Sequence, residues 1–215
     1  MTNLHSPLKT ISTARTKLLD AAVQVIREKG YSSSTVDDLC SAAGVTKGAF
    51  FHYFKSKEEL AVAATEYWTE RANTLFSTAP YHRHANARDR VLGYIDFRAQ
   101  IIQGTIAGFT CLAGTMAQEV FQTNPTIRDA CYASMTDHAE TLVSDIAEAL
   151  AENQVDKRLT AKSLALHTQA VLQGAFVLAK AKDDPDIALD SIKHLRRYFE
   201  FLFNPQQLKE NDDDK

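Results

Sequence analysis

Apolar residues along this chain recur every three or four positions, which is the spacing of one face of an α-helix. The first stripe includes Leu18, Ala22 and Ile26, and Gly30 follows where a helix over about 13–29 would end. Further helices are expected over about 36–43, 47–54, 57–76, 88–103, 110–121, 125–150, 160–182 and 185–202. The low content of 8 Gly and 5 Pro also favours long helices. The pattern therefore predicts an all-α protein of about nine helices.

Residues 35–57 encode two short helices joined by a tight turn. Leu39 and Ala43 lie on the inward stripe of the first helix. Gly44 follows at a position where the chain often needs a positive φ angle, and Thr46 offers a hydroxyl to cap the second helix. This is the layout of a helix-turn-helix, whose second helix enters the major groove of DNA. The alternative is a compact helical corner without a binding role.

The second of these helices has two distinct sides. Phe50 and Phe54 fall on the inward side, whereas Gly48 and His52 point the opposite way. A glycine there lets the backbone approach base edges closely, and polar groups nearby can meet phosphates. The predicted contacts to double-stranded operator DNA are Thr35, Thr46, Lys47, Gly48, Ala49, Phe51, His52, Tyr53 and Lys57.

The charge of the chain is divided unevenly between its two ends. Residues 1–57 carry 8 basic and 4 acidic side chains, a net charge of +4. The remaining residues carry 16 basic and 23 acidic side chains, a net charge of −7. The positive end is the end with the helix-turn-helix, as attraction to phosphates requires.

Residues 14–60 resemble the N-terminal domain of TetR-family one-component regulators. The matching motifs are Leu18-Leu19-Asp20-Ala21-Ala22, Lys29-Gly30-Tyr31, Thr35-Val36-Asp37-Asp38-Leu39, Ala43-Gly44-Val45, Lys47-Gly48-Ala49-Phe50-Phe51-His52-Tyr53-Phe54 and Ser56-Lys57-Glu58. The resemblance implies an all-helical homodimer that represses transcription from a near-palindromic operator and leaves DNA when a small molecule binds. Phe51 departs from the family, which more often has a tyrosine whose hydroxyl touches a phosphate. His52 and Tyr53 are the candidates for that contact.

Four parts of the chain are expected from these observations. They are a disordered arm over 1–12, a DNA-binding domain over 13–57, a helical effector-binding and dimerisation domain over 58–204 and a charged tail over 205–215. The helix that begins at Lys57 connects the two domains.

Cys111 is the distinctive residue of the second domain, because it falls in the first turn of the predicted sixth helix. The partial positive charge at a helix N-terminus favours thiolate, the form that reacts with oxidants and electrophiles. The stretch 104–120 resembles a TetR branch that includes sensors of reactive electrophiles or small unsaturated acids. Three interpretations of Cys111 stay open: a small buried residue, a noncovalent pocket residue, or a reactive sensor thiol that drives a redox or electrophile switch.

Polar and aromatic residues on the inward faces of the middle helices are candidates for an effector pocket. His138 lies on an apolar stripe and is alternatively a core histidine, and Arg98 could bind a carboxylate or lie on the surface. The predicted pocket or sensor residues are Tyr94, Phe97, Arg98, Cys111, Thr115, Glu119, Cys131, His138 and His167. Gln118 and Gln173 are further candidates.

The last two predicted helices are apolar on more than one side, which calls for a second packing partner. The family resemblance places them in a four-helix dimer interface, and a monomer with a thicker core is the alternative. The predicted interface residues are Leu164, Val171, Leu172, Ala175, Ile192, Leu195, Phe199 and Leu202.

Other functional classes are disfavoured by what the sequence lacks. No apolar run approaches the length needed to span a bilayer, and residues 1–11 lack the core of a signal peptide. We therefore expect a cytoplasmic protein with reduced cysteines. His82 and His84 lack a third nearby ligand, so no metal or cofactor is expected. No catalytic motif is present, and an enzyme is not expected.

Overall fold

The computed structural model describes residues 13–155 and 158–204, and all regular secondary structure in these ranges is helical. The predicted arm over 1–12 and tail over 205–215 lie outside the described residues. The helices are α1 (Ala14–Lys29), α2 (Val36–Ala43), α3 (Lys47–Tyr53), α4 (Lys57–Ser77), a 3-10 helix (Pro80–Arg83), α5 (Ala87–Gln100), α6 (Ile106–Phe109), α7 (Leu112–Val120), α8 (Pro125–Glu140), α9 (Val143–Glu152), α10 (Ala161–Lys182) and α11 (Asp186–Leu202). The all-α prediction is confirmed, and the described chain contains eleven α-helices where about nine were predicted.

The start of each helix in the N-terminal part is set by a side-chain cap. Thr35 and Asp38 form a reciprocal capping box at α2, and the Thr46 hydroxyl accepts a hydrogen bond from the Ala49 amide at α3. Gly44 ends α2 with φ 64° and ψ 38°, the left-handed conformation that favours glycine. These local signals explain why the sequence located the first four helices closely.

The predicted sixth helix over 110–121 corresponds to α7, which begins two residues later than predicted, and the short helix α6 precedes it. Thr110 and Cys111 have extended backbone angles, so the chain leaves α6 and then begins α7 at Leu112. The Cys111 sulfur accepts a hydrogen bond from the Gly114 amide at 3.4 Å. Cys111 is therefore the N-cap of α7 and precedes its first turn.

The predicted seventh helix over 125–150 is divided into α8 and α9. Thr141 and Leu142 keep right-handed helical backbone angles, and the Leu142 amide bonds to Ala139 three residues earlier. The Thr141 hydroxyl donates to the His138 carbonyl at 2.7 Å. The backbone between α8 and α9 therefore stays helical but forms a tighter turn. For this reason the spacing of apolar residues continues from α8 into α9 without a break that the sequence would show.

Two hydrophobic cores organise the molecule. The first combines α1–α3 with the start of α4, and α7 and α8 complete it; Leu18, Phe50, Met116 and Ile127 are all fully buried there. The second lies among α4, α5 and α8–α11 and includes Phe199. The predicted domain boundary between 57 and 58 is therefore not a packing boundary, because the first core extends across it.

No helix within 13–155 and 158–204 has both the length and the apolar character that crossing a bilayer requires.

Candidate functional site

One side of α3 is exposed and the other is buried. Phe50 is 0% exposed and Phe54 packs beside it in the first core. On the opposite side Gly48 and His52 are exposed, and no described residue covers them. Phe51 is 56% exposed, so α3 presents an uncovered surface that its own buried phenylalanines hold in place.

Three predicted contact residues on this surface already have intramolecular partners. The Thr35 hydroxyl and amide both bond to the Asp38 carboxylate. Lys47 forms an exposed ion pair with Asp37 at 2.8 Å, and this pair raises the pKa of the Lys47 ammonium group. Thr46 caps α3. An exposed ion pair is weak, so Lys47 can exchange Asp37 for another anion.

Lys57 differs from the other predicted contacts because its ammonium group faces the protein. Its Nζ donates to the Tyr31 carbonyl at 3.0 Å and to the Ser34 carbonyl at 2.9 Å. The same atom lies 4.2 Å from the centroid of the Tyr31 ring, and burial lowers the Lys57 pKa. Lys57 therefore holds the turn between α1 and α2 and does not offer a free charge to solvent.

A cavity of about 410 Å³ lies between the first helix and the second core. This volume is within the usual range for small-molecule sites. Its described lining is mostly aromatic, aliphatic and cationic: Arg27, Trp68, Thr69, Arg71, Ala72, Asn73, Leu75, Phe76, Arg98, Ile101, Gly108, Phe109, Cys111, Ser134, Met135, His138, Gln169, Gln173 and Phe176. Among these described residues there is no aspartate or glutamate.

His138 belongs to a buried hydrogen-bond chain at one end of this cavity. The Gln169 side-chain amide donates to the Tyr94 hydroxyl at 3.4 Å, and the Tyr94 hydroxyl lies 3.0 Å from His138 Nε2. The Tyr94 hydroxyl has one proton, and in the arrangement in which it donates this proton to Nε2 the proton of the neutral imidazole lies on Nδ1. Burial, with a smaller contribution from the Arg98 charge, lowers the His138 pKa to about 3. His138 is therefore neutral near pH 7.

All three arginines of the lining contact aromatic rings, and Arg71 lies 5.4 Å from the Tyr67 ring centroid. The Arg27 guanidinium lies 4.7 Å from the Trp68 ring centroid, and that of Arg98 lies 5.1 Å from the Phe76 ring centroid. Arg27 Nε and Nη2 are buried and have no hydrogen-bond partner among the described residues. Burial lowers the Arg27 pKa to about 10. The cavity is thus positively charged and incompletely neutralised.

The three cysteines occupy different environments. Cys40 and Cys131 are buried in the first core, and burial raises the Cys131 pKa to about 12. Cys111 is only partly buried and lines the cavity. Of the described cysteines it alone has access to a ligand there.

Several residues predicted for the pocket lie elsewhere. Tyr94 and Phe97 pack in the second core behind the lining, and Cys131 packs in the first core. His167 is exposed on α10 against the Tyr198 ring. Thr115 accepts a hydrogen bond from Lys180 Nζ at 2.7 Å.

Glu119 is also outside the cavity, because its carboxylate accepts hydrogen bonds from two amides of the turn after α1. These are the Tyr31 amide at 3.0 Å and the Ser32 amide at 2.8 Å. Gly30 has φ 88°, and a Cβ on it would lie 2.5 Å from Glu119 Oε1. The turn after α1 is therefore shaped to receive this carboxylate.

Arg98, Cys111 and His138 are the predicted pocket residues that do line the cavity, and Gln173 lines it as well. The residues that sequence reasoning missed come mainly from α1 and α4, including Arg27, Trp68 and Phe76. From the sequence alone, an arginine in the last turn of α1 would be assigned to the basic surface of the predicted helix-turn-helix domain. No local signal in the sequence shows that it faces a cavity.

Comparisons with known proteins agree with this geometry. Residues 18–64 match the family description "Bacterial regulatory proteins, tetR family", and residues 87–195 match "Tetracyclin repressor-like, C-terminal domain". The chain belongs to the TetR family.

Two curated TetR-family relatives resemble most of the chain. The HTH-type transcriptional repressor NemR of Escherichia coli is 30% identical over 148 residues, which cover 68% of this chain and 71% of NemR. The transcriptional regulator AcuR of Cereibacter sphaeroides is 29% identical over 199 residues, which cover 87% of this chain and 86% of AcuR. The family consists of DNA-binding regulators.

Solved TetR-family structures share the fold along almost the whole length. The reduced form of Escherichia coli NemR has a TM-score of 0.72 at 22% identity and covers 86% of this chain and 96% of that chain. A TetR regulator from Chloroflexus aurantiacus has a TM-score of 0.75 at 24% identity, and the match covers 87% of this chain and 94% of that chain. At these identities the likeness shows the fold.

The predicted TetR-type dimer interface needs correction at the level of residues. Six of its eight residues are buried inside the protomer: Leu164, Leu172, Ala175, Ile192, Leu195 and Phe199. They join α10 and α11 to the second core and are not free for a partner. The exposed large apolar residues of the same two helices are Leu166, Val177, Leu178, Tyr198 and Phe201.

Proposed function

We propose that this TetR-family regulator represses transcription by placing α3 of each protomer in the major groove of a near-palindromic operator. The observation that carries the proposal is the uncovered side of α3, with Gly48 and His52 exposed and Phe50 buried behind them. Thr46, Lys47 and Ala49 begin the helix that would meet the groove, and Thr35 lies at the start of α2. Phe51 and Tyr53 supply an apolar contact and a hydroxyl.

The homodimer is proposed to form through the outward faces of α10 and α11. On α10, Leu166, Ala170, Gly174 and Leu178 are exposed at helical spacing. Tyr198 and Phe201 extend this apolar surface on α11. Small residues among larger apolar ones suit the close packing of helices from two protomers.

A small-molecule effector is proposed to bind in the cavity and release the repressor from DNA. The cavity is lined from α1, α4 and α5 to α8 and α10, so an occupant would touch both the DNA-binding part and the second core. Glu119 in α7 and Lys57 in α4 hold the turn after α1. A ligand that binds the DNA-free arrangement more tightly would shift the population toward it.

The test is a gel-shift titration of the purified dimer on the DNA upstream of its own gene. We expect a specific shift at moderate salt that weakens as salt rises, because phosphate contacts release counterions. His52→Ala should weaken the specific shift, whereas Glu66→Ala, an exposed change on α4, should leave it intact. A folded dimer that binds this DNA no better than a scrambled sequence would refute the proposal.

A cysteine switch at Cys111 is the second candidate, favoured by the partly exposed position of this thiol in the cavity. With an α,β-unsaturated carbonyl compound, the thiolate sulfur would bond to the β-carbon and the α-carbon would take up a proton. Release of DNA by N-ethylmaleimide should then disappear in Cys111→Ser, while DNA binding persists. Cys131→Ser serves as a control. Equal release from Cys111→Ser and the unchanged protein would count against this switch.

A further inference from the structure

Arg27 is a cation that forms no ion pair with any described residue. Its Nε and Nη2 atoms are buried without a hydrogen-bond partner among the described residues, and it lines the cavity. A buried charged group that lacks partners is costly. The Trp68 ring stabilises the face of the guanidinium but accepts neither N–H group. The edge formed by Nε and Nη2 presents two parallel N–H groups that can bind both oxygens of a carboxylate.

A second buried polar atom without a partner among the described residues lines the same cavity. His138 is 8% exposed, and its Nδ1 is buried. In the tautomer in which the Tyr94 hydroxyl donates to Nε2, this Nδ1 is a donor. The two Arg27 groups are donors in every state, and each calls for an acceptor on an occupant of the cavity.

The apolar part of the cavity separates these two groups. Arg27 stacks on Trp68, whereas His138 packs 4.5 Å from Phe76, measured between ring centroids. Trp68 and Phe76 are eight residues apart on α4, which corresponds to about 12 Å at the rise of an α-helix. Aromatic and aliphatic side chains, including Met135 and Phe176, line the space. An elongated apolar body fits this wall better than a compact polar one.

We propose that the effector is an organic acid whose carboxylate binds the Arg27 edge and whose apolar body lies along the wall between Trp68 and Phe76. This assignment rests on the proposed function, because it specifies the ligand class of the same cavity. Arg98 keeps its own aromatic partners at the far end. His138 Nδ1 can donate to an acceptor at the distal end of a longer acid.

The position of Arg27 gives the carboxylate a direct contact with the DNA-binding part. Arg27 lies in the last turn of α1, three residues before Gly30 and the turn that Glu119 and Lys57 hold. A carboxylate bound there would therefore act on α1 itself. Arg27 should therefore be needed both for binding of the acid and for release of DNA by the acid.

The test compares acids with their primary amides, which have nearly the same shape but no charge. The probes are benzoate, 3-phenylpropanoate and 4-phenylbutanoate, each with its amide, titrated calorimetrically into the full-length dimer. For at least one pair we expect the acid to bind about tenfold more tightly than its amide, as a bidentate charged pair implies. Acids that bind no more tightly than their amides, or do not bind at all, would overturn the proposal.

Variants locate the carboxylate. Arg27→Gln should bring the affinities of acid and amide to within about threefold of each other. Arg27→Lys should keep part of the preference for the acid. Arg83→Gln is a matched control on an exposed arginine and should keep the full preference. A preference that survives in Arg27→Gln, or that only Arg98→Gln removes, would overturn the assignment.

Gel shifts of the same proteins separate the two proposals. Acid preference without any operator binding would refute the repressor proposal alone. Operator binding with equal affinity for acid and amide would refute the ligand class alone.

Discussion

The space beside the Gly48 Cα atom is not filled by other residues of the protomer. A Cβ built on this residue would meet nothing closer than Thr46 Oγ1, at 3.7 Å, which is an ordinary contact. Glycine in a helix costs about 1 kcal/mol against alanine, and nothing in the fold of the protomer requires it here. The proposed approach of α3 to DNA would supply a reason for glycine at this position.

The substitution Gly48→Ala separates stability from binding. We expect the free energy of unfolding to rise by about 0.5–1 kcal/mol, because alanine restricts the unfolded chain and favours the helix. We expect operator affinity to fall, because the added methyl group occupies the space of the approaching base edges. Chemical denaturation and gel shifts measure the two effects. Unchanged operator affinity in a stabilised variant would exclude Gly48 from the interface.

His138 gives the protein a specific sensitivity to acid. Its pKa falls from 6.5 to about 3 on folding because the imidazole is buried. Below pH 6.5 the unfolded chain therefore binds a proton that the folded chain does not, and stability decreases as the pH falls toward 3. Between pH 7 and 5 this residue should cost about 2 kcal/mol.

The measurement is urea unfolding of the unchanged protein and of His138→Gln at pH 7 and pH 5. The loss of stability on acidification should be smaller by about 2 kcal/mol in His138→Gln. His52→Gln, a change at an exposed histidine, is the control. Identical losses in all three proteins would contradict the buried neutral state of His138.

At the scale of elements, α7 is the link between the cavity and the DNA-binding part. Cys111, its N-cap, lines the cavity, and Glu119 near its other end binds the turn after α1. Leu112 and Met116 are fully buried in the first core between these points. A shift of α7 would therefore move the turn that positions α2, and with it α3.

Glu119→Ala should loosen this link. Its removal leaves two backbone amides without an acceptor, so we expect a loss of about 1–3 kcal/mol in stability and faster amide exchange over 31–34. Operator affinity should fall, because α2 and α3 lose a fixed position. Hydrogen exchange and gel shifts measure both effects, and Glu70→Ala on an exposed part of α4 is the control. Unchanged exchange at 31–34 would show that the carboxylate does not hold the turn.

At the scale of the whole molecule, the outward faces of α10 and α11 leave several large apolar side chains exposed. Leu178 is 56% exposed and Phe201 is 48% exposed. Large exposed apolar patches are typical of protein interfaces. An operator with two half-sites is bound well only when two reading helices are joined at a set distance, so the proposed dimer implies that operator affinity depends on dimerisation.

Leu178→Glu should convert the protein to a monomer and lower operator affinity, because a charge would be buried in the interface. Light scattering after size-exclusion chromatography measures the mass, and the gel shift measures the affinity. Phe121→Glu changes a comparably exposed apolar residue on another surface, and it should change neither the mass in solution nor the operator affinity. A dimeric Leu178→Glu variant would place the interface elsewhere.

The sequence by itself determined most of the helices and the helix-turn-helix, because caps, glycine positions and apolar spacing act between residues close along the chain. The inward Phe50 and outward Gly48 followed from that spacing, whereas the family resemblance rested on the residue motifs of 14–60. Only the tertiary structure decided which helix covers each face. Arg27 lines the cavity, Glu119 and Lys57 hold a turn, and Leu172 packs inside the protomer while Leu178 stays outside. The spacing of apolar residues shows that one face of a helix is apolar. Which other helix packs against that face depends on contacts between residues far apart in the chain.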